Sequence, residues 1–241
     1  MKAWRLLRTC AHAAVALLPN AVKLPVYRHA FGFRIGKGVR IGISLLDVGA
    51  LEIGDGAQIG HGNLFTRVKR VALGRDAEIG YCNILRGGDE IALGRFATVL
   101  RFNVLNAIPD NDCEGPTDPR LSLADGAYVV SGHRIDFTDR VSIGKNVIIA
   151  GRNSSLWTHN RQATRPLAIG DFCYVGSEAR LAPGASLGDW SILAMGAVLA
   201  GKAESRTVHG GVPAKPIRAI TEADARTLAK KTKKEIPEDL Y

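Results

Sequence analysis

Aliphatic residues recur at every sixth position between Ile169 and Leu199, six times in succession. Neither an amphipathic helix, with a period near 3.6, nor an alternating strand, with a period of about 2, has this spacing. Short strands joined by tight corners do have it, so the pattern predicts a solenoid built from hexapeptides. Small residues suit such corners. A small residue stands two places before each aliphatic residue from position 175 onward, at Cys173, Ala179, Ala185, Ser191 and Ala197.

The same period begins at Ile35 and defines the size of one turn. Aliphatic landmarks at 35, 53, 73 and 93 are 18, 20 and 20 residues apart, which is three hexapeptides with an occasional two-residue insertion. Three hexapeptides form one triangular coil. The landmarks resume at 123, 143, 169 and 187, so the longer gaps place insertions near 105–120 and 152–166. Loops that leave a rigid scaffold often carry binding and catalytic groups, and we expect these two to do so.

The two ends of the chain lack the hexapeptide period. Residues 1–34 combine basic and apolar side chains in a helical pattern, and their uncharged stretch is shorter than the roughly 20 residues that a bilayer span needs. We expect a helix that caps the open end of the solenoid, with an interfacial membrane anchor as the alternative. Residues 202–241 form an exit segment and a terminal helix that begins at Thr221 as N-cap. The repeats between them, residues 35–201, form one main domain.

Composition and charge narrow the class of protein. The chain has 27 glycines, 46% hydrophobic residues and only 6% aromatic residues, which suits narrow stacked coils. A net charge of +9 and a pI near 9.6 favour an anionic partner, such as a phosphorylated cofactor, a membrane surface or a nucleic acid. The four cysteines are Cys10, Cys82, Cys113 and Cys173, and no two of them form a C-x-x-C pair. The sequence therefore predicts neither a disulfide framework nor a zinc site, and it favours a reducing compartment.

Three features together carry a family resemblance: the hexapeptides, the Trp157-Thr-His-Asn insertion and the exit segment Val212-Pro-Ala-Lys-Pro-Ile-Arg218. Over about residues 35–218 the chain resembles the hexapeptide-repeat acyltransferases, and among them the sugar O-acetyltransferases of polysaccharide biosynthesis. It has neither the large helical domain of the serine acetyltransferases nor the nucleotide-binding domain of the sialic-acid type before its repeats.

The resemblance implies an all-β fold, a left-handed parallel β-helix with short helical extensions. It also implies a homotrimer, acetyl-CoA as acyl donor in a groove between neighbouring coils, and a carbohydrate or glycolipid acceptor. The expected location is cytoplasmic, and residues 1–30 would supply any contact with the inner face of the membrane.

Acyl transfer to a hydroxyl needs a base, and a neutral imidazole suits that task because its ordinary pKa is about 6.5. Similar enzymes carry their catalytic histidine in a comparable Thr-His segment, so the resemblance makes His159 the candidate base. The alternative is an exposed loop histidine. His133 precedes it by 26 residues, about one coil. His133 would either face the same groove, with Asp136 orienting a histidine, or serve as a structural hydrogen-bonding group.

The donor site is expected along the last coils. Glycine or short side chains would let a pantetheine arm lie against the backbone, and Trp190 would border the adenine. Lys215 and Arg218 match the family's basic exit segment and would bind the phosphates of coenzyme A. The positions with small side chains are Gly176, Ser177, Ala194 and Gly196. Corner geometry alone is the alternative explanation for the glycines.

Other functions have less in their favour. A γ-type carbonic anhydrase needs three histidines around a metal, and the six histidines here show no ligand-like spacing within a coil, so no metal is expected. Nucleic-acid binding has only the net charge to support it, without an aromatic platform or a known motif. N-acylation of an amino sugar and a non-catalytic β-helix scaffold stay as alternatives.

Overall fold

The computed structural model describes residues 2–108, 115–161, 164–232 and 236–240. Over this range the chain winds about eight turns of a left-handed parallel β-helix, which confirms the predicted fold class. The described helices are α1 (Lys2–Ala16), α2 (Asn20–His29) and α3 (Glu222–Leu228), with a 3-10 turn at Glu238–Leu240. None of them is long and apolar enough to cross a bilayer.

Each turn of the helix has three flat faces, and face one is a single ten-stranded sheet. Nine of its strands are parallel, and the tenth closes the sheet in the antiparallel direction. In chain order they are β2 (Arg40–Ile41), β4 (Gln58–Ile59), β6 (Glu78–Tyr81), β9 (Thr98–Arg101), β12 (Tyr128–Ser131), β15 (Ile148–Ile149), β18 (Tyr174–Val175), β21 (Ile192–Leu193), β24 (Thr207–Gly210) and the antiparallel β25 (Lys215–Ala219).

Faces two and three belong to one fifteen-stranded sheet, because two long strands of the first coils bend continuously around the edge between them. These are β3 (Leu45–Ile53) and β5 (Leu64–Leu73), and β1 (Arg34–Ile35) pairs with the end of β3. Face two continues with β7 (Ile84–Arg86), β10 (Val104–Asn106), β13 (Arg134–Asp136), β16 (Ser155–Trp157), β19 (Arg180–Leu181) and β22 (Val198–Leu199). Face three continues with β8 (Glu90–Leu93), β11 (Arg120–Leu123), β14 (Val141–Ile143), β17 (Leu167–Ile169), β20 (Ser186–Leu187) and β23 (Lys202–Ala203).

The hexapeptide landmarks stack directly on one another inside face three. Ile53 pairs with Leu73, Leu73 with Leu93, and Leu93 with Leu123. Each of these side chains is at most 4% exposed. Burying such a side chain stabilises the fold by about 1.5–3 kcal/mol, which explains why the period survives although the loops differ in length. The five predicted small positions between Cys173 and Ala197 are also buried.

The three edges of the prism, where one face meets the next, differ in the residues they carry. The asparagine edge, between faces one and two, carries a buried ladder in which Asn83 and Asn103 each donate backbone N–H and side-chain N–H to the amide oxygen of the asparagine one coil earlier. The loop edge, between faces two and three, carries both insertions. The aromatic edge, between faces three and one, repeats left-handed residues that include Phe96, Phe172 and Trp190.

The N-terminal helices close the first coil. The first coil has no earlier coil to bind its carbonyl groups, and α2 supplies side-chain donors instead. Lys23 donates to the carbonyls of Ile41 and Gly42, and Arg28 donates to those of Ile35 and Gly36. Residues 2–29 therefore cover the first coil, whose peptide groups would otherwise be open to pairing with another chain.

Candidate functional site

The two insertions leave the prism at the same edge. Asn106 pairs with Asp136, and Asp136 pairs with Trp157, so these three residues end successive strands of face two. The chain then makes a long excursion after Asn106, a short corner after Asp136 and a second excursion after Trp157. Neighbouring strands are about 4.8 Å apart, so both excursions begin within about 10 Å of each other. Residues 109–114 and 162–163 lie outside the described residues.

Asp136 connects the short corner with the second excursion. Its side chain is buried, and Oδ1 accepts hydrogen bonds from the backbone N–H of Thr138 at 3.0 Å and from the Thr138 hydroxyl at 2.6 Å. Its Oδ2 accepts a hydrogen bond from the backbone N–H of His159 at 3.1 Å. Asp136 therefore contacts His159 through the His159 backbone and not through an imidazole ring.

Thr158 fixes the start of the second excursion from the other side. It is fully buried, donates its hydroxyl to the Asp136 carbonyl at 3.1 Å and accepts the backbone N–H of Asp139 at 3.0 Å. His159 then pairs with Thr164 in an antiparallel bridge. The His159 ring is half-buried and makes no hydrogen bond to another described residue. The backbone of His159 is therefore held in place at the loop edge.

His133 lies at the asparagine edge and not beside His159. Its backbone N–H donates to the Asn103 amide oxygen at 2.9 Å, and its Nδ1 accepts the backbone N–H of Ser154 at 3.2 Å. Burial lowers the pKa of His133 to about 4, against a smaller opposing effect of the Ile149 backbone. His133 stands three residues before Asp136, about 10 Å along the strand, so His133 and His159 lie at different edges of one chain. The geometry favours the structural alternative, a neutral member of the asparagine ladder.

The residues expected to bind the acyl donor lie at two different edges of the prism. Gly176, Ser177, Ala194 and Gly196 lie at the C-terminal end of the asparagine edge, where the backbone N–H of Gly196 donates to the Ser177 carbonyl at 2.9 Å. Lys215 reaches the same corner because β25 begins there, opposite Gly210.

The two edge glycines serve different purposes. A Cβ at Gly176 would lie 2.6 Å from the backbone nitrogen of Met195 in the next coil, so coil stacking requires glycine there. A Cβ at Gly196 would have no atom within 4 Å, and the backbone has a φ of +68°. Coil stacking therefore explains Gly176, whereas Gly196 occupies a left-handed corner whose outer side is open.

Trp190 and Arg218 lie at the aromatic edge, away from the glycines. Trp190 stacks on Phe172 with 4.3 Å between ring centroids, and the Arg206 guanidinium lies 5.9 Å from the indole. Arg218 forms an ion pair with Asp224, with 2.5 Å between the charged groups. Hydrogen bonds from Arg218 and Thr221 hold the pKa of Asp224 well below its usual range. The charge of Arg218 is therefore already partly compensated within the chain.

Two other features bear on the chemistry of the described residues, the buried thiol of Cys173 and the arrangement of metal-ligating side chains. Burial raises the pKa of the Cys173 thiol to about 12, so this sulfur is protonated at neutral pH and unsuited to nucleophilic attack. No group of three or more His, Cys, Asp or Glu side chains is placed to hold a metal ion among residues 2–108, 115–161, 164–232 and 236–240.

Sequence reasoning did not identify Thr138, Asp139 and Thr158 as members of the site. The available signal was local: Asp-x-Thr and Asp residues at corners are typical of turns in which the side chain bonds the backbone. The pairing of Asp136 with His159 needed the fold, because the two residues are 23 positions apart and belong to different coils.

Comparisons with known proteins agree with this architecture. The Saccharomyces cerevisiae protein YJL218W, assigned as an acetyltransferase, is 32% identical over 110 residues, which cover 44% of this chain and 54% of that protein. The Escherichia coli galactoside O-acetyltransferase is 29% identical over 99 residues, which cover 37% of this chain and 48% of that enzyme. The chain thus spans about half the length of the curated relatives it matches. No protein-family model matches the chain.

Two solved structures share the fold. The UDP-N-acetylglucosamine acyltransferase from Campylobacter jejuni superposes with a TM-score of 0.56 at 16% identity, over 86% of this chain and 75% of that one. The polySia-specific acetyltransferase NeuO superposes with a TM-score of 0.53 at 17% identity, over 85% of this chain and 92% of that one. At this level of identity the likeness establishes the β-helix itself.

Proposed function

We propose that this protein transfers an acyl group, acetyl in the simplest case, from coenzyme A to a sugar hydroxyl. The observation that carries the proposal is the buried Asp136 carboxylate, which holds the backbone of His159 at the loop edge while the imidazole stays unpaired among the described residues. The names of the two sequence relatives, both acetyltransferases, support the same chemistry.

The reaction assigns one proton-transfer role to His159. Its neutral imidazole accepts the proton of the acceptor hydroxyl as the oxygen attacks the thioester carbonyl carbon. The tetrahedral intermediate then collapses, the carbon–sulfur bond breaks, and the imidazolium returns the proton to the leaving thiolate. Asp136 is a positioning residue in this scheme, because its carboxylate binds the backbone N–H of His159 and not the reacting atoms.

The donor is assigned to the C-terminal end of the asparagine edge. Gly196 leaves open space, Ser177 and Ala194 present short side chains beside it, and exposed Lys215 supplies a positive charge for a phosphate. Trp190 and Arg218, at the aromatic edge, would reach only an outlying part of the same ligand.

His159 and this donor surface lie on different edges of one chain, so a complete site requires two copies. We assign a homotrimer in which the loop edge of one copy faces the asparagine edge of the next. This arrangement gives three equivalent sites and follows the closed cyclic symmetry that is common among oligomers.

The direct test measures thiol release from acetyl-CoA with a panel of acceptors: galactosides, nucleotide-linked sugars, lipid-linked sugars and amino sugars. We expect His159→Ala to lower kcat by roughly 10²–10⁴-fold, the range for loss of a general base, without lowering Tm. The matched control is His29→Asn, which should retain activity because His29 is exposed on α2 and belongs to neither edge of the proposed site.

Each outcome of this test has a definite meaning. Full turnover by His159→Ala would remove the assigned base. Turnover of amino sugars alone would replace O-transfer with N-transfer. Absence of thiol release with every acceptor would favour the non-catalytic scaffold.

A further inference from the structure

Helix α1 has two faces of opposite kind. One face packs on the first coil, where His12 and Ala16 are buried and Arg8 and Thr9 bind the carboxylate of Asp47. The opposite face of the helix is exposed and carries no charged residue across about half of the helical circumference. Its members are Leu6, Leu7, Cys10, Ala11, Ala13, Ala14 and Leu17, with Trp4 at its border.

The exposure of this face is large. Trp4, Leu6, Leu7 and Leu17 are 64–71% exposed. Single apolar residues at a surface are ordinary, but a contiguous apolar helix face marks an interaction site. The cap and the anchor weighed from the sequence are thus compatible, because they use opposite sides of one helix.

The charge of the chain is concentrated at the same end. Asp47 is the first acidic residue, and eight of the 32 Lys and Arg residues precede it. The rest of the chain carries 24 Lys and Arg against 23 Asp and Glu. Nearly all of the net charge of +9 therefore belongs to the N-terminal helices and the first coil.

A cleft of about 1000 Å³ separates the first turns of α1 from the loop edge of the first three coils. Its apolar lining comes from Trp4, Leu6, Leu64 and Ile84. Two of its cations are neutralised, since Arg8 pairs with Asp47 and Lys69 with Asp89.

The other two cations of the cleft belong to Arg67 and Arg86, which are exposed. Their guanidinium groups have no ion pair or hydrogen bond within the part of the chain that the structure describes. Arg67 is the extra residue of a β-bulge between β3 and β5, with a φ of 59°. A bulge turns a side chain away from the regular ladder, and here the turned residue lines the cleft.

We propose that this N-terminal surface, the exposed face of α1 together with the cleft at Arg67 and Arg86, docks on an anionic lipid bilayer. The apolar face enters the boundary between headgroups and acyl chains, and the two guanidinium groups bind lipid phosphates. A second copy of the chain is a poor occupant, because a two-fold contact through α1 would bring the same unpaired cations of both copies together.

Co-sedimentation of the full chain with vesicles tests the proposal. We expect binding to mixed phosphatidylcholine and phosphatidylglycerol vesicles, little binding to phosphatidylcholine alone, and weaker binding as salt is raised. Leu7→Glu should lower the partition coefficient by about tenfold through loss of apolar burial. Arg67→Glu and Arg86→Glu should each lower it by about fivefold or more.

Matched controls come from the opposite end of the prism. Ile217→Glu replaces an exposed apolar residue on β25, and Arg180→Glu replaces an exposed arginine on β19, and neither should change vesicle binding. Circular dichroism and Tm confirm that each variant is folded. Thiol release with a water-soluble acceptor should be unchanged in Leu7→Glu, which separates this proposal from the proposed function.

Two results would overturn the docking surface. One is equal or absent binding to both kinds of vesicle. The other is a change of oligomeric state in Leu7→Glu by sedimentation velocity, which would make the exposed face of α1 a contact between copies.

Discussion

A histidine can serve a β-helix in two unrelated ways, and burial separates them. His133 is 1% exposed and bonded above and below, whereas His159 is half-buried with its backbone held by Asp136. Gly132 precedes His133 and Thr158 precedes His159, and neither neighbour specifies a role, so the sequence left two roles open for His133. The neighbouring coils favour the structural role, because Asn103 and Ser154 occupy the positions next to His133 in the ladder.

The buried state of His133 predicts a dependence of stability on pH. Its pKa is about 4 in the folded chain, against about 6.5 in the unfolded chain. The unfolded chain therefore binds the proton first as pH falls. The stabilising contribution is complete above about pH 6.5, is lost as the pH falls toward 4, and amounts to roughly 3 kcal/mol.

His133→Asn should remove this dependence, because asparagine fills the same place in the ladder at 63, 83 and 103. The measurement is the free energy of unfolding in denaturant at several pH values between 4 and 7. His29→Asn, at an exposed position on α2, is the control and should keep the slope of the parent protein. An unchanged slope in His133→Asn would mean that other groups cause the acid sensitivity.

At the scale of the coil, glycines that look alike in the hexapeptides differ in what they contact. Gly176→Ala would place a methyl carbon 2.6 Å from the Met195 nitrogen, so the coils must separate. We expect a loss of about 1–3 kcal/mol of stability from this overpacking. Gly196→Ala meets no atom within 4 Å and should lose only about 1 kcal/mol, from its positive φ.

Thermal unfolding of the two alanine variants, compared with the parent, checks the order of their effects. Binding of acetyl-CoA at the asparagine edge provides a second measurement. Gly196→Ala should raise KM for acetyl-CoA more than its small change in Tm would suggest, because its methyl group enters the space assigned to the donor. A larger fall in Tm for Gly196→Ala than for Gly176→Ala would contradict the packing at both glycines.

Elements with a local cause were predictable from the sequence, and contacts between distant coils were not. The landmarks from Ile53 to Leu187 specified the inward stack, since an inward position can hold only an apolar or small side chain. The lengths of the insertions showed that loops exist but not that both leave the same edge. That fact depends on which of three corners each loop interrupts, and a total residue count does not specify a corner.

For the whole molecule, the important division is that between the loop edge and the asparagine edge. A site built from one chain would need His159 and Gly196 on the same edge, and the chain places them on different ones. The proposed homotrimer joins them across copies.

Coexpression of two inactive variants tests this sharing. His159→Ala removes the base of one copy, and Gly196→Trp fills the donor space of another. Random assembly of trimers should restore about a quarter of the parent activity, because each site takes one edge from each of two copies. Mixing the variants after separate purification, without exchange of subunits, is the control. No recovery in coexpressed material that contains both variants would place the whole site within one chain.

The bonds of α2 to the first coil have a consequence for assembly in the cell. An uncovered first coil of a parallel β-helix presents a row of peptide groups as a template, and identical prisms could add to it end to end as rungs add to an amyloid fibril. Lys23 and Arg28 bind four carbonyl groups of that row, so a strand could pair with these groups only by displacing the two side chains. Growth of a filament from this end would therefore cost those bonds, and the outer side of the same helix pair stays exposed.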